Sequence, residues 1–323
     1  MKWFSIFGLS LMLLMATSLA RAQTAVRLSI ATGGTGGIYF PIGSGMAGLL
    51  SKYVSNVDAT AEVTSASVDN CLLLNKSKVD LALAVADTAW DAYQGKGKGF
   101  REKVPLRTLV AVYPIFMHLV TLENRGIEKV TDLKGKAVST GAPGGWTEFT
   151  AMRILESVRL SADKGVTRSR LGPSESTAAL KEKKIDAYFW GGGIPAASVT
   201  DLAVTPGMKI KLIPLGDVVS ILRDKVGPVY VKGLIPAGTY LGQDLDIPVA
   251  LVWNLLLCHE NMKEDLAYRI VKTVFEHQPE LAAIQRETRF LTPESQGGGG
   301  SPVPYHPGAL RYFAERGIKT ETW

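Results

Sequence analysis

The sequence predicts an α/β protein built as two lobes facing one cleft, and three observations predict it. Strand-like and helix-like segments alternate along the chain, the pattern of parallel sheets covered by helices. Two glycine-rich loops, Gly33-Gly34-Thr35-Gly36-Gly37 and Gly141-Ala142-Pro143-Gly144-Gly145, stand between a strand and a helix in separate halves of the 323-residue sequence. The length left after a processed N-terminus, about 300 residues, suffices for two lobes that each bury a core.

The N-terminal segment reads as a signal peptide over residues 1–22. Met1-Lys2-Trp3 is a short basic start, Phe4 to Ala20 is an apolar run, and Ala20-Arg21-Ala22 offers the small-x-small pattern of a cleavage site. The run is short for a membrane span and polar Gln23-Thr24 follows, so cleavage rather than direct membrane insertion is expected. No Cys stands at the cleavage site to carry a lipid.

Val26–Ile30 then alternates apolar and polar as a strand. Ile42, Met46, Leu49, Leu50 and Tyr53 fall at helical spacing behind Pro41. A strand near Thr60–Thr64, a helix from Val68 to Asn75, a strand at Asp80–Val85 and a helix from about Thr88 to Gln94 repeat the pattern. Thr108–Tyr113 and His118–Leu122 are apolar segments on either side of Pro114. Lys136–Ser139 is a strand, and residues 147–160 form a helix with Ala151, Ile154, Leu155 and Val158 on one face. Ile185–Trp190, Met208–Leu215 and Val249–Cys258 read as strands. Ala267, Ile270, Val271, Val274 and Phe275 give an amphipathic helix. Residues 292–308, rich in Pro, Gly and Ser, predict a mobile loop before a closing helix from Pro307 to Arg316.

Composition excludes several classes. The formal charge of +6 falls to +4 when Lys2 and Arg21 leave with the signal. The surplus is spread out, with small clusters at Lys96-Gly97-Lys98 and Lys181 to Lys184, and shows no basic stripe of the kind nucleic acid requires. Cys71 and Cys258 each sit in an apolar run. Export permits a disulfide between them, but such flanks predict buried free thiols. The four histidines show no metal-ligand spacing, and no cofactor site is expected. No nucleophile elbow, His-Glu-x-x-His or Cys-x-x-Cys appears, so binding without turnover is expected.

The first glycine loop is the most informative segment. Successive glycines let backbone N–H groups converge and the helix start adds positive partial charge, which together make an anion cradle. A Walker loop fails because Ile38-Tyr39 follows Gly37, and the dinucleotide fingerprint fails because Tyr39 stands where its third glycine belongs. A carboxylate is the expected guest, with Thr35 and Tyr39 adding hydroxyls; the competing reading is a turn without a ligand. Thr64 to Asn70 forms a second wall, in which Ser67 alone reads as a helix cap. Gly145, Trp146 and Thr147 belong to a third wall, and Trp190 reads equally as cleft lining or as packing.

The segment Ala31-Thr32-Gly33-Gly34-Thr35-Gly36-Gly37-Ile38-Tyr39-Phe40-Pro41-Ile42-Gly43 resembles the signature of the TAXI family, the solute receptors of one class of tripartite ATP-independent periplasmic (TRAP) transporters. Ser67-Val68-Asp69-Asn70, Thr131 to Lys136, Ile235 to Tyr240, Glu264 to Tyr268 and His306 to Ala309 extend the resemblance over nearly all the mature chain. It implies a type II periplasmic-binding-protein-like fold, with strands crossing between lobes near Val112–Val120 and Val249–Cys258. The lobes expected are 23–117 plus 253–323, and 118–252. It implies a periplasmic location, a glutamate-like or dicarboxylate ligand, and TRAP-type permease subunits as the membrane partner. By motif, Thr35, Gly36, Gly37, Tyr39, Ser67 and Asn70 should face the ligand.

Two departures matter. Val85-Ala86-Asp87 replaces a Gln-Ser-Asp common in the family, leaving Asp87 with fewer polar neighbours. Gly145-Trp146 replaces Ser-Gly within Pro-Gly-Ser-Gly-Thr. Both changes favour a more apolar or aromatic carboxylate, because an unpaired buried polar group costs on the order of 1–3 kcal/mol. A receptor for an ATP-driven importer or a sensor kinase, and a periplasmic enzyme on the same lobes, are the rival readings.

Overall fold

The computed structural model describes residues 25–97, 99–160 and 165–320. The expected signal segment 1–22 and Lys98 lie outside the described residues. The first lobe opens with β1 (Val26–Ala31), α1 (Tyr39–Tyr53), β2 (Val57–Glu62), α2 (Ser67–Asn75), β3 (Leu81–Val85) and α3 (Ala86–Gln94). Strand β4 (Leu106–Leu122) leads to the second lobe: β5 (Ala137–Ser139), α4 (Trp146–Ser157), β6 (Thr167–Ser169), α5 (Pro173–Lys181), β7 (Ala187–Gly192), α6 (Ala197–Ala203), β8 (Ile210–Leu212), α7 (Val218–Val226) and β9 (Val231–Ile235). Strand β10 (Ile247–His259) returns, and α8 (Glu264–Glu276), α9 (Gln278–Ile284), α10 (Pro293–Gly297) and α11 (Pro307–Glu315) complete the first lobe.

The strands follow the order β2-β1-β3-β10-β4-β7-β5-β6, with β8 also on β4 and β9 also on β10. Strand β1 is parallel to β2 and β3, and β5 is parallel to β6 and β7. Parallel strands joined through helices place their C-terminal ends on one edge of each lobe, where such sheets offer a crevice.

Strands β4 and β10 are the expected crossings. Asn254 to Cys258 pair with β3, whereas Ile247 to Leu251 pair with β9. Phe116 to Thr121 pair with β7. The change of partner falls near Pro114, which stands opposite Trp253. The sequence reads as two segments at Pro114, yet one 17-residue strand runs through it. Fifteen of the β4 and β10 side chains from Leu109 to Val112, Met117 to Val120 and Val249 to Leu257 are hydrophobic and buried, which holds the pair together across the proline.

Periodicity explains the outer layers. In β1, Leu28 and Ile30 point inward; in α8, Ala267, Ile270, Val271 and Val274 are buried against α1 and α11. Each of the larger aliphatic side chains contributes about 1.5–3 kcal/mol on burial. Cys71 and Cys258 are both buried and free, in different strand and helix layers of the core.

The segment 292–308 departs from the expected mobile loop. It contains α10, and Gln296, Ser301 and Val303 are all at most 3 % exposed. Gln296 accepts from the Ala111 N–H at 2.8 Å and donates to the Ala111 carbonyl at 2.9 Å. A single amide thus satisfies both free backbone groups of a β4 residue, and this docks a stretch whose composition favours a loop.

Candidate functional site

Helices α1, α2, α3 and α4 all begin where a parallel strand ends, on the edge that the two lobes turn toward each other. Helix α1 is the most electropositive of these starts. Its N-cap, Ile38, has no side-chain acceptor and its first turn has no acidic residue. Gly34 to Ile38 are exposed, and the one backbone bond within the loop runs from the Gly37 N–H to the Gly34 carbonyl at 2.9 Å. Among the described residues, the amides of Gly34, Thr35 and Gly36 meet no acceptor. Gly34, Thr35 and Gly36 therefore present N–H groups, beside a helix dipole, to open space. A Cβ at Gly34 or Gly36 would meet no heavy atom within 4 Å, so these glycines leave the approach to the backbone clear.

Behind the loop the first-lobe side chains satisfy one another. Tyr39 is buried; its hydroxyl donates to Asn254 Oδ1 at 2.6 Å and lies 3.4 Å from Ser67 Oγ. Burial pushes its phenol far above the ordinary value, so it stays a neutral donor. Ser67 is not the cap of α2. Ala66 holds that place at φ 69°, and the Ser67 hydroxyl accepts from the Val85 N–H at 3.1 Å.

Asn70 is a correction. It is fully buried, donates to the carbonyls of Thr32 and Leu83 at 2.7 Å each, and accepts from Thr64 Oγ1 at 2.6 Å. Its amide ties the ends of β1 and β3 together and has no face toward the cleft. An Asx residue at the start of an α2-type helix satisfies buried backbone ends as readily as it meets a ligand, and burial decides between the two.

The lobes meet at Asp87 and Trp146. The Trp146 Nε1–H donates to Asp87 Oδ2 at 2.9 Å, joining the first turn of α4 to the first turn of α3. Asp87 Oδ1 accepts from the Thr88 N–H at 2.7 Å, and Arg153 Nη1 stands 3.9 Å from Oδ2. Burial raises the Asp87 carboxyl above the usual range, with Arg153 and the hydrogen bonds opposing that rise. The indole face lies against Gly191, where a Cβ would fall 2.4 Å from Trp146 Cζ3. Thr147 Oγ1 accepts from the Gly191 N–H at 3.1 Å, which seats α4 on β7. Gly145 is the N-cap of α4, again with no side-chain acceptor. Trp190 is half-buried, and its indole lies along its own strand, 2.8 Å from where a Cβ on Gly192 would stand.

The structure thus brings Tyr39, Ser67, Asp87, Trp146 and Thr147 into one connected region, with the Thr35–Gly37 loop at its mouth. It also adds residues the sequence did not single out. Asn254, from the crossing strand β10, orients Tyr39. Arg153 reaches the fully buried Tyr230 hydroxyl at 3.0 Å as well as Asp87. Glu148, Arg168 and Arg170 form a charged cluster beside α4. The apolar face of α4 was legible as a heptad-like pattern, but no spacing signal links its polar residues to partners 20 or 77 positions away.

Among the described residues no helix is long and apolar enough to cross a membrane. Among solved structures, the chain resembles the periplasmic aliphatic sulphonate binding protein SsuA of Escherichia coli at 14 % identity and a TM-score of 0.46, over 89 % of this chain and 78 % of that one. It resembles the probable amino-acid ABC transporter extracellular-binding protein ytmK of Bacillus subtilis at 16 % identity and a TM-score of 0.43, over 83 % and 97 % of the two chains. The sequence model of the NMT1-like family matches residues 30–317, a span that holds the glycine loop, both crossing strands and the bridge between the lobes, and the chain belongs to that family.

Proposed function

We propose that the mature chain is a periplasmic solute-binding receptor that seats a small organic anion at the start of α1 and hands it to a membrane transporter without changing it chemically. The observation that carries this reading is the uncapped, acid-free start of α1 under an exposed loop in which the amides of Gly34, Thr35 and Gly36 meet no protein acceptor. Such a site satisfies a carboxylate with several N–H groups and a favourable dipole. The lobes are taken as 23–117 with 253–323 and as 118–252, hinged on β4 and β10. Lobe closure then populates the form in which both lobes grip the anion.

The proposed ligand is a glutamate-like or dicarboxylate anion, or a carboxylate with an apolar or aromatic body. The second class gains support from the site's own hydrogen bonds: Tyr39, Asp87 and Trp146 already spend polar groups on protein partners. The resemblance of Ala31–Gly43 to the TAXI signature supports a TRAP-type permease as the recipient. A thermal-shift screen of mature protein, unfolded and refolded to strip carried ligand, tests the proposal with amino acids, C4 to C6 dicarboxylates, 2-oxo acids and aromatic acids. A ligand at about a hundred times its Kd adds roughly 2.7 kcal/mol, a shift of several degrees. At least one acid should give that shift; none doing so contradicts an anion receptor.

A further inference from the structure

We infer that the flank of α4 facing β6 is a second anion site, separate from the start of α1, that takes an organic monoanion with an apolar body such as an aryl carboxylate. Glu148 lies in the first turn of α4 and is 8 % exposed. Its carboxylate accepts from the Gly144 N–H at 2.7 Å, from Arg168, and from both Nε and Nη2 of Arg170, the last at 3.0 Å. The same element of the chain therefore already demonstrates carboxylate recognition by a glycine-loop amide and two guanidiniums.

The charges do not balance. Arg168 and Arg170 face one carboxylate, and guanidiniums do not deprotonate in proteins. Arg170, chiefly, holds Glu148 below the usual carboxylate range, so the cluster keeps one net positive charge at neutral pH. Arg168 is further tied by its Nε–H to Thr140 Oγ1 at 3.0 Å. The Arg170 side chain is 49 % exposed and retains unused donors on its outer edge.

A cavity of about 310 Å³ opens beside this charge, walled by Gly144, Gly145, Phe149 and Met152 together with the three charged residues. That size is near the lower end of small-molecule sites, roughly 300–1,000 Å³. Phe149 is 56 % exposed, a large apolar surface left at the rim of a cationic pocket. The Arg153 guanidinium stacks on its ring at 4.3 Å, which fixes that ring's position. Glu148 is the one acid in the lining. One excess cation beside one exposed phenyl and one thioether matches a single negative charge on an apolar body. A dianion would leave a charge unmatched, and a polar amino acid would leave its ammonium against Arg170.

Isothermal titration of the stripped mature chain with phenylacetate, glutarate and neutral phenylacetamide tests the site. Phenylacetate should bind saturably and weaken with added salt, and phenylacetamide should not bind. Arg170→Gln and, independently, Phe149→Ser should each raise the phenylacetate Kd at least tenfold. Phe149 is exposed, so its variant reports even if Arg170→Gln upsets the Glu148 cluster and melts early. Phenylacetate binding that survives both flank variants overturns the second site and leaves the receptor proposal standing. No saturable binding of phenylacetate overturns the second site outright, whatever the panel of acids shows at α1.

Discussion

Replacing Trp146 with Phe keeps an aromatic ring against Gly191 and removes the indole N–H that joins the lobes at Asp87. The bond is 2.9 Å long and its acceptor belongs to a residue only 7 % exposed. A hydrogen bond to a charged group contributes about 1.5–3 kcal/mol. Because the bond exists only when the lobes are together, its loss shifts the balance toward the open form by roughly ten- to a hundredfold, at about 1.4 kcal/mol per factor of ten. Arg153, 3.9 Å from the same oxygen, offsets part of the loss and favours the lower end. A ligand gripped by both lobes loses affinity by up to the same factor, since its apparent Kd scales with the closed fraction.

The inter-lobe distance can be read by fluorescence transfer between labels at Lys78→Cys and Lys209→Cys. Both native thiols are buried and burial raises them, Cys71 to about 12, so the introduced cysteines react first. Trp146→Phe should lengthen the distance in ligand-free protein and raise the Kd of the best acid. An unchanged distance with an unchanged Kd refutes the bridging role of the indole.

Gly141 sits at φ 101°, and a Cβ there would fall 2.8 Å from Thr147 Cγ2 and 3.0 Å from the Glu148 nitrogen. Gly141→Ala should cost on the order of 1–3 kcal/mol from backbone strain alone and lower the Tm by several degrees in a calorimetric melt. Gln296→Ala leaves the Ala111 N–H and carbonyl buried without their partner, each costing on the order of 1–3 kcal/mol. It should also expose residues 292–308 to limited proteolysis. His118 is fully buried and its ring is held at about 4, below the ordinary 6.5, by desolvation. The neutral ring's contribution is intact above pH 6.5 and is lost as the pH falls toward 4, because the unfolded state takes up the proton first. The loss is about 3 kcal/mol, so urea midpoints should drop over that window and His118→Asn should flatten the drop.

The elements legible in the sequence were those whose periodicity and punctuation agree. Strand β1 alternates, α1 follows glycines and Pro41, and α8 carries its apolar stripe on one face. Strands β6 and β8 are three residues each, too short for any period to show, and β9 has Val231 and Leu234 spaced by glycine on a partly exposed edge. Pro114 reads as a break because proline cannot donate to a ladder; the pairing on both sides carries β4 through it. In the site, the glycine loops and Trp146 announced themselves by composition. The roles of Asn70 and Ser67 were set by burial, which no local pattern reveals. Arg153, Arg168 and Arg170 escaped because each acts through a partner distant in the chain. The clearest physical lesson is Asp87: a lone carboxylate beside Val85 and Ala86 acquires its role only when α4 delivers an indole N–H to it.

The most direct test of the anion seat is a crystal structure of stripped protein grown with the tightest-binding acid of the panel. A ligand carboxylate within about 3.2 Å of the amides between Gly34 and Ile38, with the lobes closed over it, is the expected result. A carboxylate that touches none of those amides contradicts the proposed seat at α1, wherever else on the protein it binds.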